Sequence, residues 1–195
     1  MDSIKTYISF KMKVIMGRKF VISSASASGK TTLVNAILNS RKNMYRLKTC
    51  TTRPIRDEEK GDEYYFLSKQ QAEEKILKNE FIEHSIVYGN IYGLTREEVD
   101  SHDSYNTIVI LDVQGAQKFK DVYPDAITVF IEPPPLDILE TRLKERNTSN
   151  TDVQKRLEET KAEMGYMESY DYIVKYDALQ HMKRKFFRLI DFYSK

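Results

Sequence analysis

One junction constrains this chain more than any other feature: an apolar run leads directly into a Ser/Ala-rich loop that closes with Gly-Lys-Thr. The run at residues 20–22 predicts a buried strand, and apolar residues at helical spacing between Leu33 and Leu38 predict a helix after the loop. In such a loop, backbone N–H groups surround phosphate oxygens, the Lys neutralises their charge and the Thr hydroxyl binds Mg²⁺. The sequence therefore predicts a nucleoside triphosphate site formed by Ser24, Ala25, Ser26, Ala27, Ser28, Gly29, Lys30, Thr31 and Thr32.

A simpler alternative interprets the same stretch as a turn that caps the helix, with Ser28 as the N-cap. The stretch also departs from the strict pattern G-x-x-x-x-G-K-[ST], because Ser24 stands at the first Gly. Both interpretations predict the same helix. The order of strand, loop and Gly-Lys-Thr favours phosphate binding, with Lys30 on the outer phosphates and Thr31 on Mg²⁺.

Charge and composition exclude several other classes of protein. The 195 residues are 41% hydrophobic and 31% charged, as in ordinary globular domains, and the net charge of +2 argues against a nucleic-acid partner. No apolar run reaches the roughly 18 residues of a membrane span, so we expect no membrane partner. The single cysteine, Cys50, cannot form an intramolecular disulfide and suits a reducing compartment, which predicts a cytoplasmic location.

Strand-like and helical patterns alternate along most of the chain. Apolar, β-branched runs at residues 19–23, 107–113 and 126–131 predict strands, and the helical patterns between them predict a three-layer α/β fold with a parallel sheet. Ligands of such sheets bind beyond the carboxyl ends of the strands. Asp112 is expected to emerge at such an end.

Four other segments do not follow this alternation of strand-like and helical patterns. Short strands, turns and polar aromatic residues at 49–93 predict a small inserted subdomain. Residues 133–157 predict a helical hairpin with a break at 147–150, and residues 181–193 predict a helix that packs on the core. We interpret residues 1–16 as an N-terminal extension.

Six groups of short motifs, in the same order along the chain, resemble those of guanylate kinases. They are T-C-T-T-R-P-I-R at 49–56, G-D-E-Y at 61–64, E-F-I-E-H at 80–84, G-N-I-Y-G at 89–93, D-V-Q-G-A at 112–116, and R-N-T at 146–148 with K-R-L at 155–157. The resemblance implies a three-layer P-loop NTPase fold. It divides a domain at 17–195 into a core at 17–48, 94–132 and 158–195, an inserted GMP-binding subdomain at 49–93 and a helical lid at 133–157.

The resemblance also implies an ATP:GMP phosphotransferase, which transfers the γ-phosphoryl group of MgATP to GMP or dGMP in purine nucleotide metabolism. The residue types suit this chemistry, because Arg53 and Arg56 can offer forked donors to the phosphate dianion of a monophosphate. Glu83 can accept the N1–H and 2-amino donors of guanine, a face that adenine lacks. The predicted GMP-binding residues are Thr49, Arg53, Arg56, Tyr64, Glu83, Tyr92 and Asp112.

Phosphoryl transfer needs positioning and charge neutralisation more than it needs a protein nucleophile. By resemblance, the catalytic groups are Lys30 and three lid arginines, Arg142, Arg146 and Arg156. Mg²⁺ is the predicted cofactor, with Thr31 as its protein ligand, and ATP and GMP are the predicted partners of a monomer or homodimer. The simpler interpretation of the arginines is ion pairing with glutamates on a helix surface.

Four positions depart from the family pattern. Ala27 replaces a loop Gly, and Ile110 replaces the first carboxylate of a D-h-D-h-Q-G segment. Leu94 replaces a small hydroxyl residue near guanine, and Lys175 replaces an Asn near adenine. Two alternatives stay open: a weak or silent homologue that acts as a binding module, and a kinase for another monophosphate such as AMP or UMP. The retained Lys30 favours an active enzyme, because a peptide-binding module has no need of an ATP clamp.

Overall fold

The computed structural model of the protein describes residues 17–56, 61, 63–145 and 150–194. The strands are β1 (Lys19–Ser23), β2 (Met44–Arg46), β3 (Cys50–Thr51), β4 (Tyr65–Phe66), β5 (Phe81–Val87), β6 (Asn90–Thr95), β7 (Asn106–Ile110), β8 (Ile127–Ile131) and β9 (Tyr172–Val174). The helices are α1 (Lys30–Ser40), α2 (Lys69–Leu77), α3 (Arg96–Asp100), α4 (Val113–Val122), α5 (Leu136–Glu145), α6 (Asn150–Met164) and α7 (Leu179–Tyr193).

A five-stranded sheet in the order β2-β7-β1-β8-β9 forms the core, and each neighbouring pair in it is parallel. Strand β1 lies at the centre and is buried along its whole length, because helices cover both faces. On one face, Leu33 of α1 and Phe186 of α7 pack with Phe20. On the other face, Phe119 of α4 packs with Val21. The predicted three-layer α/β fold with a parallel sheet is confirmed.

The carboxyl end of β7 differs from the sequence prediction. The apolar pattern predicts a strand from 107 to 113, but β7 ends at Ile110. The reason is that Asp112 is the N-cap of α4, where its Oδ1 accepts a hydrogen bond from the Gly115 N–H at 2.7 Å. Asp112 therefore lies just beyond the end of a parallel strand, at the edge where ligands bind.

A second sheet has four strands in the order β4-β3-β6-β5. Strands β5 and β6 pair antiparallel and are joined by a two-residue turn at Tyr88 and Gly89, whose φ values are 51° and 75°. Positive φ at both positions is the type I′ geometry that matches the twist of a hairpin. Because α4 packs against β5, this sheet lies beside the carboxyl ends of the core strands.

Helices α5 and α6 pack against each other through their own apolar cluster of Leu139, Leu143, Val153 and Leu157. They form the predicted helical hairpin, whose second helix begins at Asn150. Most of the predicted break, at residues 146–149, lies outside the described residues, as does the predicted extension at 1–16. The predicted boundaries of core, inserted subdomain and lid stay predictions.

The C-terminal helix α7 packs on the core through Met182, Phe186 and Ile190. Phe192, which the sequence pattern groups with them, is 70% exposed, because it lies two residues beyond Ile190 and so on another face of the helix. No helix in the described part of the chain combines the length and the apolar character that crossing a membrane requires.

Candidate active site

A cavity of about 280 Å³ lies between the loop at residues 24–29, the second sheet and α6. We call that loop the phosphate loop. Most of the residues predicted from sequence line the cavity: Ser24, Ser26, Ala27, Ser28, Gly29, Lys30, Thr31, Thr32, Thr49, Arg53, Arg56, Tyr64, Glu83, Tyr92, Asp112 and Arg156. Ala25 and Arg142 do not line it, and Arg146 lies outside the described residues.

Hydrogen bonds within the phosphate loop give it its shape. The Ser24 hydroxyl donates to Ser28 Oγ at 2.5 Å, and the Ser28 hydroxyl donates to the Ala25 carbonyl at 2.7 Å. The alternative in which Ser28 caps α1 is therefore wrong, because the N-cap is Gly29, with φ 95° and no side-chain cap. The first N–H groups of α1 thus have no capping side chain, which suits them to an anion.

Contacts of Lys30 and Ala27 also stabilise the conformation of the phosphate loop. The Lys30 ammonium donates to the carbonyls of Ser24 and Ala25 at 2.6 and 2.7 Å. Ala27 adopts φ 60°, the left-handed conformation that costs a non-glycine residue roughly 1–2 kcal/mol. Its methyl packs against the apolar cluster of α5 and α6, and its carbonyl accepts a hydrogen bond from Arg142 Nη1 at 3.3 Å. The Gly-to-Ala departure is accommodated at this position.

Aromatic rings surround the predicted arginine of the monophosphate site. The Arg53 guanidinium lies over Tyr64 and Phe66, with 5.5 and 5.7 Å to the ring centroids. Tyr64 in turn meets Tyr92 edge-on at 6.2 Å. Stacking of this kind restricts the guanidinium, whose Nη1 also donates to the Pro54 carbonyl at 2.5 Å. Arg56 is exposed at the same end of the cavity.

Glu83 is the most buried carboxylate of the cavity wall, with 4% of its surface exposed. Burial, and then the nearby Asp112 carboxylate, raise the pKa of Glu83 to about 8. Asp112 is itself held by two hydrogen bonds, one from the Gly115 N–H and one from the Ser85 hydroxyl. Glu83 is therefore not an exposed carboxylate at the edge of the sheet.

Gly115 allows Glu83 this position, since a Cβ at residue 115 would lie 2.6 Å from Glu83 Oε2. We expect Gly115→Ala to displace the Glu83 side chain without unfolding α4, because the atom in conflict ends a side chain and Ala favours helix by about 1 kcal/mol. The KM for GMP should rise by about tenfold and the KM for ATP should hold. Steady-state kinetics measure both, and an unchanged KM for GMP would contradict this role of Glu83.

The two described arginines of the predicted lid, Arg142 and Arg156, lie at different places. The Arg156 guanidinium stacks on the Tyr88 ring at 4.5 Å from the centroid, and its buried Nε has no hydrogen-bond partner in the described part of the chain. Arg142 reaches the back of the phosphate loop instead of the cavity. Of the glutamates on the helix surface, Glu140 pairs with Lys144.

Sequence reasoning missed several residues of the cavity wall: Ser85, Val87, Asn90, Leu111 and Glu163. It noted Ile110 only as a departure and Tyr88 only as a polar aromatic residue of the inserted subdomain. The most consequential is Glu163 of α6, where burial, partly offset by Lys30, raises the carboxyl pKa. One signal could have found it. Glu163 follows Arg156 by seven residues, which is two helical turns and therefore the same face.

The residues present fit a Mg²⁺ ion bound mainly through phosphates. Mg²⁺ takes oxygen ligands and keeps most of its water, using one or two protein groups. The cavity wall offers the Thr31 hydroxyl and the carboxylates of Asp112 and Glu163. No group of three or more His, Cys, Asp or Glu side chains in the described ranges is arranged to hold a metal by protein ligands alone.

Comparison with known proteins places this fold and cavity in a family. The family model described as guanylate kinase matches residues 16–192. The guanylate kinase of Neisseria gonorrhoeae is 38% identical over 168 residues, which cover 84% of this chain and 82% of that protein. The guanylate kinase of Thermotoga maritima is 35% identical over 162 residues, covering 81% and 78%.

A solved structure agrees with these sequence relatives. The crystal structure of guanylate kinase from Anaplasma phagocytophilum superposes with a TM-score of 0.74 at 26% identity, covering 92% of this chain and 87% of that chain. The chain belongs to the guanylate kinase family. The resemblance found in its motifs is confirmed.

Proposed function

We propose that this protein is an ATP:GMP phosphotransferase, which transfers the γ-phosphoryl group of MgATP to GMP or dGMP and releases ADP and GDP. One observation carries the proposal: a buried carboxylate suited to guanine and a Lys-containing phosphate loop line the same cavity. Membership of the guanylate kinase family supports this activity. The shared cavity explains how both nucleotides can bind in one site. Phosphoryl transfer requires both nucleotides in one site, because the attacking and leaving oxygens must lie in line.

In the proposed reaction, the acceptor binds at the second sheet. Glu83 accepts the N1–H and 2-amino protons of guanine, and Arg53 and Arg56 bind the monophosphate. Asp112, held by Ser85, faces the nucleoside. The fixed carboxylate orients the base, so the phosphate oxygen is directed towards the donor.

The phosphate loop and α6 act on the donor. The Lys30 ammonium exchanges its two carbonyl partners for phosphate oxygens, and the N–H groups at the start of α1 bind the same anion. Arg156 supplies further positive charge, and Arg142 supports the loop through Ala27. Thr31 would hold Mg²⁺ together with the phosphates, and the ion would supply charge neutralisation at the transferring group. The helical hairpin excludes water, which competes with GMP as acceptor.

The departures from the family pattern do not remove these groups. Ile110 lines the cavity in place of a carboxylate, yet Asp112 is fixed by two hydrogen bonds. Lys175 is exposed at the end of β9. We therefore favour an active enzyme over a binding module, and we also propose a cytoplasmic location and a monomer or homodimer.

Measuring ADP formation tests the proposal directly. MgATP is offered with GMP, dGMP, AMP or UMP, and a reaction without acceptor reports hydrolysis. We expect kcat/KM for GMP to exceed that for AMP by at least about 100-fold, because AMP leaves Glu83 without its donors. Binding of GMP without turnover would support the binding module, and faster turnover of AMP or UMP would support a kinase for another monophosphate.

A further inference from the structure

The turn of the β5–β6 hairpin contains a residue that standard turn chemistry does not favour. Type I′ turns prefer Asn, Asp or Gly at their first central position, and Tyr88 occupies it here with φ 51°. A bulky side chain in the left-handed region is conformationally strained. The turn is closed by Asn90, whose Nδ2 donates to the Tyr88 carbonyl at 3.1 Å.

The Tyr88 side chain contacts two residues of α6, the second helix of the hairpin, which we call the lid helix. The guanidinium of Arg156 lies over its ring at 4.5 Å from the centroid. The Glu159 carboxylate lies next to its hydroxyl, and after burial this contact further raises the pKa of Tyr88. Arg156 and Glu159 are three residues apart on one face of α6, so a single aromatic side chain engages one turn of the helix.

These contacts connect two parts of the cavity that bind different substrates in the proposed function. Tyr88 is carried by the strand pair that also carries Glu83, whereas Arg156 is carried by the helix that covers the phosphate loop. The Arg156 Nε has no partner among the described residues although it is buried. A guanidinium with one such buried N–H, held against a ring at the cavity wall, is suited to bind an anion.

We propose that Tyr88 is a positioning residue that holds Arg156 over the phosphates and couples closure of the lid helix to occupancy of the monophosphate site. The proposal rests on the proposed function, because it needs both nucleotides to bind in this cavity. Its thermodynamic consequence is positive coupling. A bound ATP analogue should tighten GMP binding, and GMP should tighten analogue binding by the same factor.

Titration calorimetry of the full chain tests this coupling. The dissociation constant of GMP is measured with and without Mg²⁺ and a non-hydrolysable ATP analogue, and the ratio is the coupling factor. We expect Tyr88→Leu to lower this factor by about three- to tenfold, because it removes the ring under Arg156. Tyr88→Phe keeps the ring and should retain most of the coupling, which separates loss of the contact from failure to fold.

Tyr105→Leu is the matched control, since Tyr105 is 54% exposed and precedes β7 at the opposite end of the core sheet. Its coupling factor should equal that of the wild type. An unchanged factor in Tyr88→Leu, or equal weakening of GMP with and without the analogue, would overturn the role of Tyr88 while leaving the proposed function intact. Failure of the wild type to bind GMP would overturn the proposed function and this proposal together.

Discussion

Lys30→Ala should reduce the kcat for GMP-dependent ADP formation by about 10³-fold or more. The ammonium of Lys30 is the cation that the first residue of α1 places beside the phosphate loop, where its charge meets the negative charge of the transferring group. Removal of a preorganised charge from a site of this kind affects the transition state more than the ground state. The measurement is a coupled assay of ADP with saturating MgATP and GMP.

Lys42→Ala provides the control for this variant. Lys42 is an exposed residue that follows α1, so the change removes the same charge outside the cavity. We expect its kcat to stay within twofold of the wild type, since surface charges contribute little. If Lys30→Ala retains more than about a tenth of the wild-type kcat, the phosphate loop does not act as an electrostatic clamp.

Glu83→Gln should lower kcat/KM for GMP by about 10²–10⁴-fold. A carboxylate can accept hydrogen bonds from both donors of the guanine edge. The amide of a glutamine has one acceptor and one donor group, so its buried N–H would face an N–H of guanine. Activity with AMP should fall far less, so the ratio of GMP to AMP activity is the diagnostic quantity. Glu97→Gln, an exposed carboxylate on α3, is the control and should leave that ratio unchanged.

The raised pKa of Glu83 should make the affinity for GMP depend on pH. The pKa of Glu83 is about 8 and guanine requires the ionised form, so GMP binding should release a proton below pH 8. Affinity for GMP should therefore rise with pH up to about 8, by at most about tenfold per pH unit. Calorimetry in buffers of different ionisation enthalpy measures the proton release, which Glu83→Gln should abolish.

The free energy of unfolding should change with pH in the opposite direction to the affinity for GMP. Because the folded pKa lies above the ordinary value of 4.5, the folded state retains a proton that the unfolded state loses. The contribution of Glu83 to the free energy of unfolding is complete below pH 4.5 and is lost as the pH rises towards 8. Thermal unfolding of the wild type and Glu83→Gln across this range should diverge progressively, and parallel curves would contradict the assignment.

The sequence by itself determined the features that depend on residues close together in the chain. The strand, loop and helix around Lys30 are contiguous, and the apolar runs at β1, β7 and β8 already indicate a sheet covered on both faces. Arg53 and Arg56 are three residues apart, so their pairing is visible in one motif. The family resemblance added Glu83 and the lid.

Only the tertiary structure decided which residues from distant segments meet. The Ser85 hydroxyl reaches Asp112 from another sheet, Tyr88 meets Arg156 across the cavity, and Glu163 faces Lys30 from α6. The contacts of Ser85 and Tyr88 leave no local pattern, because side-chain direction depends on how sheets and helices pack. For Glu163, only its helical spacing from Arg156 is visible in the sequence. The raised pKa of Glu83 is of the same kind: burial and the nearby charge of Asp112 exist only once the second sheet lies against α4.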